Sequence, residues 1–447
     1  MSFPRYPKYK DSGVEWLGEV PEHWEVISLK WLSPVKRGAS PRPIEDPRYF
    51  DDDGEFAWVR IADVSACDGV LKETVQRLSS LGSSLSVKMA PGELFVSIAG
   101  TVGKPCLSSI KACIHDGFVY FPTLKINPKF LYRIFEGGLC YGGLGKWGTQ
   151  LNLNTDTIGS IRVALPPTNE LQRLLVFLDS ETAKIDELVA EQRRLIELLK
   201  EKRQAVISHA VTKGLNANAP MKPSGIEWLG DVPQHWQVVA LKRIATIRTG
   251  VAKGKDLSGQ DTINVPYLRV ANVQDGYLKL DEIATIDIQR SELDRYRLGA
   301  GDVLMNEGGD FDKLGRGYVW EGQIEPCITQ NHVFAVRPNG VDSWWLNSIT
   351  SSDYAQFYFM SQSKQSTNLA SINSTNLMNL PVILPPKDEQ KDVLQFVHET
   401  TKKFDALTAE AERGIDLLQE RRTALISAAV TGKIDVRSFA TQIPEVA

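Results

Sequence analysis

The sequence predicts an α+β fold: two globular units of mixed α/β structure, separated by a pair of long antiparallel coiled-coil helices and related as a pseudo-two-fold internal repeat. Three observations carry this. The segment Ser12-Gly-Val-Glu-Trp-Leu-Gly-Glu-Val-Pro-Glu-His-Trp24 recurs as Ser224-Gly-Ile-Glu-Trp-Leu-Gly-Asp-Val-Pro-Gln-His-Trp236, with ten of 13 positions identical at an offset of 212 (12 to 224). Leu165-Pro-Pro opens a stretch that ends at Ala210-Val-Thr212, and Leu384-Pro-Pro opens another that ends at Ala429-Val-Thr431, at an offset of 219 (165 to 384). Between them, Trp58-Val-Arg60-Ile-Ala-Asp-Val64 resembles Tyr267-Leu-Arg269-Val-Ala-Asn-Val273 at an offset of 209 (58 to 267). The drifting offset puts insertions and deletions in the globular middles, while heads and helices keep their lengths.

Each element has a local reason. The middles carry short β-type runs, such as Phe56–Ile61, Glu93–Ile98 and Phe118–Phe121, broken by Gly, Pro and Asp. Apolar strands at Ile161–Leu165 and Pro381–Leu384 lead into the Pro-Pro pairs. Proline suits the first helical turn, and Glu170, Asp388 and Glu389 follow there, as the helix dipole favours. From about Glu170 to Val211 no Gly or Pro interrupts the chain, a helix of roughly 60 Å at 1.5 Å per residue.

Steps of three and four mark a seam at Ile185, Leu188, Gln192, Leu195, Leu199, Lys202 and Val206, matched by Phe404, Leu407, Ala411, Gly414, Leu418, Arg421 and Leu425. So long an amphipathic helix needs a partner, and its own copy is the nearest one; two copies related by a two-fold axis run antiparallel. The alternative is that each helix packs only on its own globular unit.

The 447 residues exceed one domain by about threefold, and 42% hydrophobic with 24% charged content is an ordinary globular balance. With 51 Lys+Arg against 55 Asp+Glu, the net charge of −4 excludes a strongly basic histone-like binder but not locally basic clefts. Five Cys with no C-x-x-C pair make a disulfide framework or cysteine zinc site improbable. No apolar run approaches a membrane span and the first residues lack a signal-peptide core, so a cytoplasmic location, with no membrane contact, is expected.

The Trp-Leu-Gly-x-Val-Pro-x-His-Trp heads at 16–24 and 228–236 resemble, in this order and twice over, the specificity (S) subunit of Type I restriction–modification enzymes. The Leu-Pro-Pro helix entries and the helix ends Ile207-Ser-His-Ala-Val-Thr212 and Ile426-Ser-Ala-Ala-Val-Thr431 complete that pattern, which covers all but the tail. The resemblance implies a first target-recognition domain (1–165), a first conserved helical region (166–214), a second target-recognition domain (215–384), a second helical region (385–436) and a tail (437–447). It implies that each recognition domain reads one half of an asymmetric bipartite site in double-stranded DNA. It further implies a non-catalytic chain that docks two methyltransferase (M) subunits and, through them, restriction (R) subunits. S-adenosylmethionine, ATP and Mg are then expected in the partners, with no cofactor or metal here.

The residues agree with an absence of catalysis. Gly143-Leu-Gly-Lys-Trp-Gly148 matches G-x-G-x-x-G but is not flanked by a clear strand and helix, so a loop near DNA is the better reading. Both Pro-Pro pairs lack the flanking residues of an amino-methyltransferase motif, and Gly103-Lys104 is followed by Pro105 instead of completing a Walker A motif. The six His show no metal-ligand spacing, and His23 and His235 in the repeated heads read as structural. A rival is an adaptor joining two protein-binding domains through a coiled-coil spacer, which predicts no salt-dependent DNA affinity.

Affinity for a duplex comes chiefly from Lys and Arg on phosphates, and specificity from side chains that reach base edges. Residues 29–160 hold 15 basic and 13 acidic side chains, so local loops matter more than bulk charge. The candidates in the first unit are Lys36, Arg37 and Arg42, then Lys104, then Lys146, Thr149, Gln150 and Asn152. Those in the second are Arg248, Lys253 and Lys255, then Lys313 and Arg316, then Lys364, Gln365 and Asn368. Each loop joins a cation to Gly, which lets backbone approach phosphate, or to an amide or hydroxyl that can bond a base.

Overall fold

The structure, a computed structural model, describes residues 3–144, 153–309, 314–315, 317–366 and 369–439. The chain divides into two compact units, Met1–Gln192 with Arg413–Ala447, and Arg193–Glu412. The division runs through both long helices, so each unit is built from a globular part and half of each helix.

In the first unit the head forms a hairpin, Tyr9–Asp11 against Glu19–Pro21. Strand Glu25–Ser28 then pairs antiparallel with Arg162–Leu165, tying the head to the helix entry. Between these ends lies a sheet in the spatial order Lys36–Arg37, Phe118–Tyr120, Leu94–Ser97, Pro105–Ser108, Val70–Leu71. A second sheet orders Gln76–Leu78, Phe56–Val59, Ala112–Ile114 and Val87–Met89. Val59, Phe95, Ile114 and Phe118 belong to one small core. The larger core joins Trp24, Phe130 and Phe135 to Leu174 and Leu178 of the first long helix and Ile426 and Ala429 of the second.

The second unit repeats the plan. Met221–Pro223 pairs with Asp231–Pro233, and Gln237–Ala240 with Pro381–Leu384. Its main sheet runs Ala245–Thr249, Val333–Pro338, Val303–Asn306, Gly317–Val319, the order of the first four strands in the first unit. Trp236 and Trp345 stand fully buried in its core beside Val393 and Val397.

The first long helix spans Thr168–Lys213 and the second Lys387–Val430. In the first unit Arg422 Nε donates to Asp186 Oδ1 at 2.8 Å; in the second, Arg203 Nε lies 3.2 Å from Asp405 Oδ1. From 186 to 203 along one helix is 17 residues forward, and from 422 to 405 along the other is 17 back. The helices therefore run antiparallel, as the repeat required. The buried row differs from the expected seam. Ile185, Leu199, Ala411 and Leu425 of that seam are buried, but Leu188, Leu195 and Leu407 are 45%, 43% and 49% exposed, and Val189 and Ile196 beside the first two are buried instead. Val206 is half-buried and Ile207 buried. The row is Ile185, Val189, Gln192, Ile196, Leu199, Arg203, which keeps every other position of the expected seam and steps four-three where three-four was expected.

At each helix start a glutamate gathers the head. Glu170, 5% exposed, accepts from Tyr6 Oη, from Trp24 Nε1 at 2.9 Å and bonds His23 Nε2 at 2.8 Å. Burial and this carboxylate push the Tyr6 phenol well above its ordinary value. Glu389 repeats the arrangement with Trp236 Nε1 at 3.0 Å and His235 Nε2 at 2.7 Å, without a tyrosine. Both histidines thus hold structural carboxylates.

Candidate nucleic-acid interface

One end of each main sheet collects described loops among those that sequence singled out. In the first unit Gly38 N–H donates to Phe118 O and Ile98 N–H to Gly117 O, both close to 2.9 Å. These bonds bring the loops 38–42, 98–104 and 115–117 side by side. Gly38 must be glycine there, since a Cβ would stand 2.2 Å from His115 O. Gly250, its counterpart at the offset of 212, would place a Cβ 2.0 Å from Thr329 O. Edge strand and neighbouring turn therefore meet in the same way in both units.

Lys36 and Arg37 are exposed on the edge strand, in register with Tyr120 and Val119. Arg37 Nε donates to the Asp116 carbonyl, and Arg42 Nη2 to the Asp116 carboxylate at 2.9 Å, with Ser40 Oγ on the other oxygen at 3.1 Å. Burial pushes that carboxyl up, but the Ser40 hydrogen bond and the Arg42 charge outweigh it and hold it below the ordinary range. Arg42 is 76% exposed, so this pair organises the loop and leaves the cation facing water. Beside it His115 Nδ1 accepts from Gly117 N–H at 2.8 Å, and burial lowers its pKa, so the ring is neutral at neutral pH.

Lys104 differs from expectation. Its ammonium donates to Ser65 O at 3.1 Å and Cys67 O at 2.9 Å, at the C-terminal end of the helix Ile61–Ala66. It closes that helix, as the dipole favours, and its cation is already engaged. Cys67 Sγ, 3.6 Å from Cys106 Sγ, is held below the ordinary thiol value first by that contact, with Lys104 assisting. Lys146, Thr149, Gln150 and Asn152, and the Gly143–Gly148 motif beyond Leu144, lie outside the described residues.

In the second unit Val251 N–H donates to Thr329 O at 2.8 Å, Gln330 N–H to Leu268 O at 2.8 Å and Ile372 N–H to Glu307 O at 2.9 Å. The loops around 250, 268, 307, 330 and 372 thus share one end of the sheet. Arg248 sits half-buried in its strand opposite Ala335. Lys253 is exposed, 5.9 Å above the Tyr267 ring, and Lys255 Nζ lies 3.3 Å from Glu292 Oε1. Lys364 is exposed on a short strand with Gln365, next to Leu369–Ser371. Lys313, Arg316 and Asn368 lie outside the described residues, as does the Gln365 side chain.

Two arginines at the same cluster escaped the sequence reading as candidates. Arg60 and Arg269 each precede a short helical turn whose Asp63 or Asn272 side chain accepts from the arginine's own backbone N–H, at 2.8 and 2.9 Å. In both, the buried Nε makes no hydrogen bond. The signal was present: Val-Arg-Ile-Ala-Asp-Val and Leu-Arg-Val-Ala-Asn-Val keep the arginine where the neighbours vary.

Among the described residues no group of His, Cys, Asp and Glu could hold a metal ion, and no helix is long and apolar enough to cross a membrane. The five cysteines are free. Residues 233–415 match the model of the Type I restriction modification DNA specificity domain. The chain is 26% identical over 216 residues to the type I restriction enzyme MjaX specificity subunit of Methanocaldococcus jannaschii, covering 47% of this chain and about half (49%) of that protein. It is 21% identical to the StySPI specificity subunit of Salmonella potsdam, over 93% of this chain and 90% of that one. In fold it is similar to a chain solved for complex assembly and conformational transition of the type I R-M system, at a TM-score of 0.64, 17% identity, and coverage of 92% of this chain and 98% of that one. The duplicated heads, the paired long helices and these likenesses together make the chain similar to the specificity subunits of type I restriction–modification enzymes.

Proposed function

We propose that this chain is the DNA-recognition subunit of a type I restriction–modification complex, in which each loop cluster reads one half of an asymmetric, bipartite duplex site. The observation that carries the reading is that one loop cluster is built twice on matching backbone with different contents. Gly38 and Gly250 make the same approach, yet Asp116 with Arg42 stands in one cluster where Glu307 with His332, bonded at 2.8 Å, stands in the other. Like scaffolds with unlike side chains suit unlike half-sites. Arg60 and Arg269 supply phosphate contacts in this reading, beside Arg37, Arg42, Arg248, Lys253 and Lys364.

The long helices set the gap between half-sites. Removing one heptad from each shortens the spacer by about 10 Å, or about three base pairs at ~3.4 Å each. Genome-wide mapping of methylated motifs should then show both half-sites kept and their separation reduced; unchanged separation refutes the ruler. The rival adaptor predicts no salt-dependent DNA affinity, so binding measured at two salt concentrations separates the two readings.

Methylation and cleavage fall to partners. Two M subunits, carrying S-adenosylmethionine, and R subunits using ATP and Mg assemble on the repeated outer surfaces. Trp16, Leu139, Ala424 and Ala428 line an open groove of about 870 Å³ in the first unit. In the second, exposed Trp228 and Phe357 stand 5.9 Å apart. Co-purification at two M subunits per chain is expected, and one-to-one recovery counts against it.

A further inference from the structure

The internal repeat allows each unit to be used as the template for the other, and at one place they differ in substance. In the first unit the helix Pro128–Gly137 fills its contact with the long helices by a closed polar network. Tyr132 Oη donates to Glu136 at 3.1 Å, Arg133 Nη1 to Glu136 at 2.8 Å, and Arg133 Nη2 to Asp179 at 2.7 Å. Arg422 completes it, donating to Glu136 at 3.0 Å and Asp186 at 2.8 Å. In the second unit the matching helix is Ser343–Thr350, aligned by the buried pairs Phe130/Trp345, Leu131/Leu346 and Ile134/Ile349. That alignment puts Asn347, Ser348 and Ser351 where Tyr132, Arg133 and Glu136 stand. Arg203 and Asp405 replace Arg422 and Asp186, at the offset of 219.

The short side chains leave a cleft of about 720 Å³. Arg203 meets one carboxylate, Asp405, whose Oδ1 lies 3.2 Å from its buried Nε as an ion pair without a hydrogen bond, where Arg422 meets two. Asn347 lines the cleft and is 9% exposed, and its buried Oδ1 has no partner. Trp344 and Tyr318 line the same cleft, edge to face with centroids 5.1 Å apart; His398 and Lys402 also line it, as do Asp275, Glu321 and Asp342. A cavity of this size with an aromatic wall and a few unsatisfied polar atoms has the make-up of a small-molecule site.

We propose that the cleft binds a small aromatic carboxylate that carries its own hydroxyl or amino donor. Its carboxylate replaces the missing Glu136 counterpart on Arg203, its donor reaches Asn347 Oδ1, and its ring lies against Trp344 and Tyr318. This is the phenol-plus-carboxylate content that Tyr132 and Glu136 supply within the first unit. An Arg–carboxylate contact and a satisfied buried amide oxygen are the interactions that reward such a ligand.

The test uses the full-length chain with tryptophan indoles labelled by ¹⁵N, titrated with 4-hydroxyphenylacetate and with phenylacetate. Saturable one-to-one binding of the hydroxylated probe, with the Trp344 resonance shifting, is expected. Phenylacetate should bind about tenfold more weakly, the worth of one hydrogen bond to a buried acceptor. Ser351→Glu restores the carboxylate in place and should abolish binding. Should that variant fail to fold, Asn347→Leu should bring the hydroxylated probe down to the phenylacetate level while leaving phenylacetate unchanged. No saturation by either probe at millimolar concentration, or equal binding by wild type and Ser351→Glu, overturns the proposal. So does protection of the cleft by a bound M subunit with no probe binding, which makes it a docking surface.

Discussion

Replacing Glu170 by alanine should destabilise the first unit far more than Glu389→Ala destabilises the second. Glu170 accepts from Tyr6 and Trp24, which are 4% and 0% exposed, and bonds His23, whose side chain is 41% exposed. In the alanine variant His23 turns to water, but the other two donors are left buried without acceptors. At about 1–3 kcal/mol for each orphaned buried group, the loss is about 2–6 kcal/mol. Glu389 is 29% exposed and serves one buried donor, Trp236, beside the half-exposed His235. Water can follow into that site, so about 1–2 kcal/mol is expected. Glu170→Gln keeps an acceptor oxygen and should recover part of the difference. Native-state exchange of the indole N–H protons reads the two sites separately: Trp24 reports the first and Trp236 the second. Equal losses, or a larger loss at Glu389, would refute the assignment of Glu170 as the deeper carboxylate.

Further outcomes follow from the same geometry. Gly38→Ala and Gly250→Ala force a Cβ against a carbonyl at 2.2 and 2.0 Å, and each should lower stability by about 1–3 kcal/mol, seen as a shifted urea midpoint. Arg60→Ala and Arg269→Ala should each reduce the slope of log affinity against log salt by about one without changing the preferred sequence; an unchanged slope removes them from the DNA surface. His115 should titrate by NMR below the ordinary histidine value of about 6.5. Because its folded pKa is lowered, the unfolded chain takes up a proton first as pH falls. Its contribution is therefore present above that value and is lost on descending from it towards the folded pKa. Cys67 should alkylate before the other four cysteines, and Cys106→Ser should slow it, since the Cys106 contact is the largest cause of its lowered pKa.

How far the fold was legible depended on repetition. The head was plain because two tryptophans and a histidine recur at one offset, and the first long helix because forty residues pass without Gly or Pro. The seam phase was not: Leu188-Val189 and Leu195-Ile196 are adjacent apolar pairs, and a three-four rhythm fits either member. Only the facing helix decides which is inside. Glu170 and Glu389 were read as dipole partners of the helix start, although both stand five residues after the Leu of Leu-Pro-Pro, which already placed them as equivalents. Lys104 looked like a phosphate contact because local sequence does not reveal the carbonyls of Ser65 and Cys67 that take its ammonium.

The sharing of each long helix between the two units bears on biosynthesis. The unit Arg193–Glu412 is one unbroken stretch, so all its pieces have left the ribosome once residue 412 and the tunnel length beyond it are made. The other unit begins earlier yet has to wait for residues 413 onward, because Arg422, Ile426 and Ala429 complete its interior. The half translated first is therefore the half finished last, and during that delay Leu174 and Leu178 stay uncovered on the side that Ile426 and Ala429 later close.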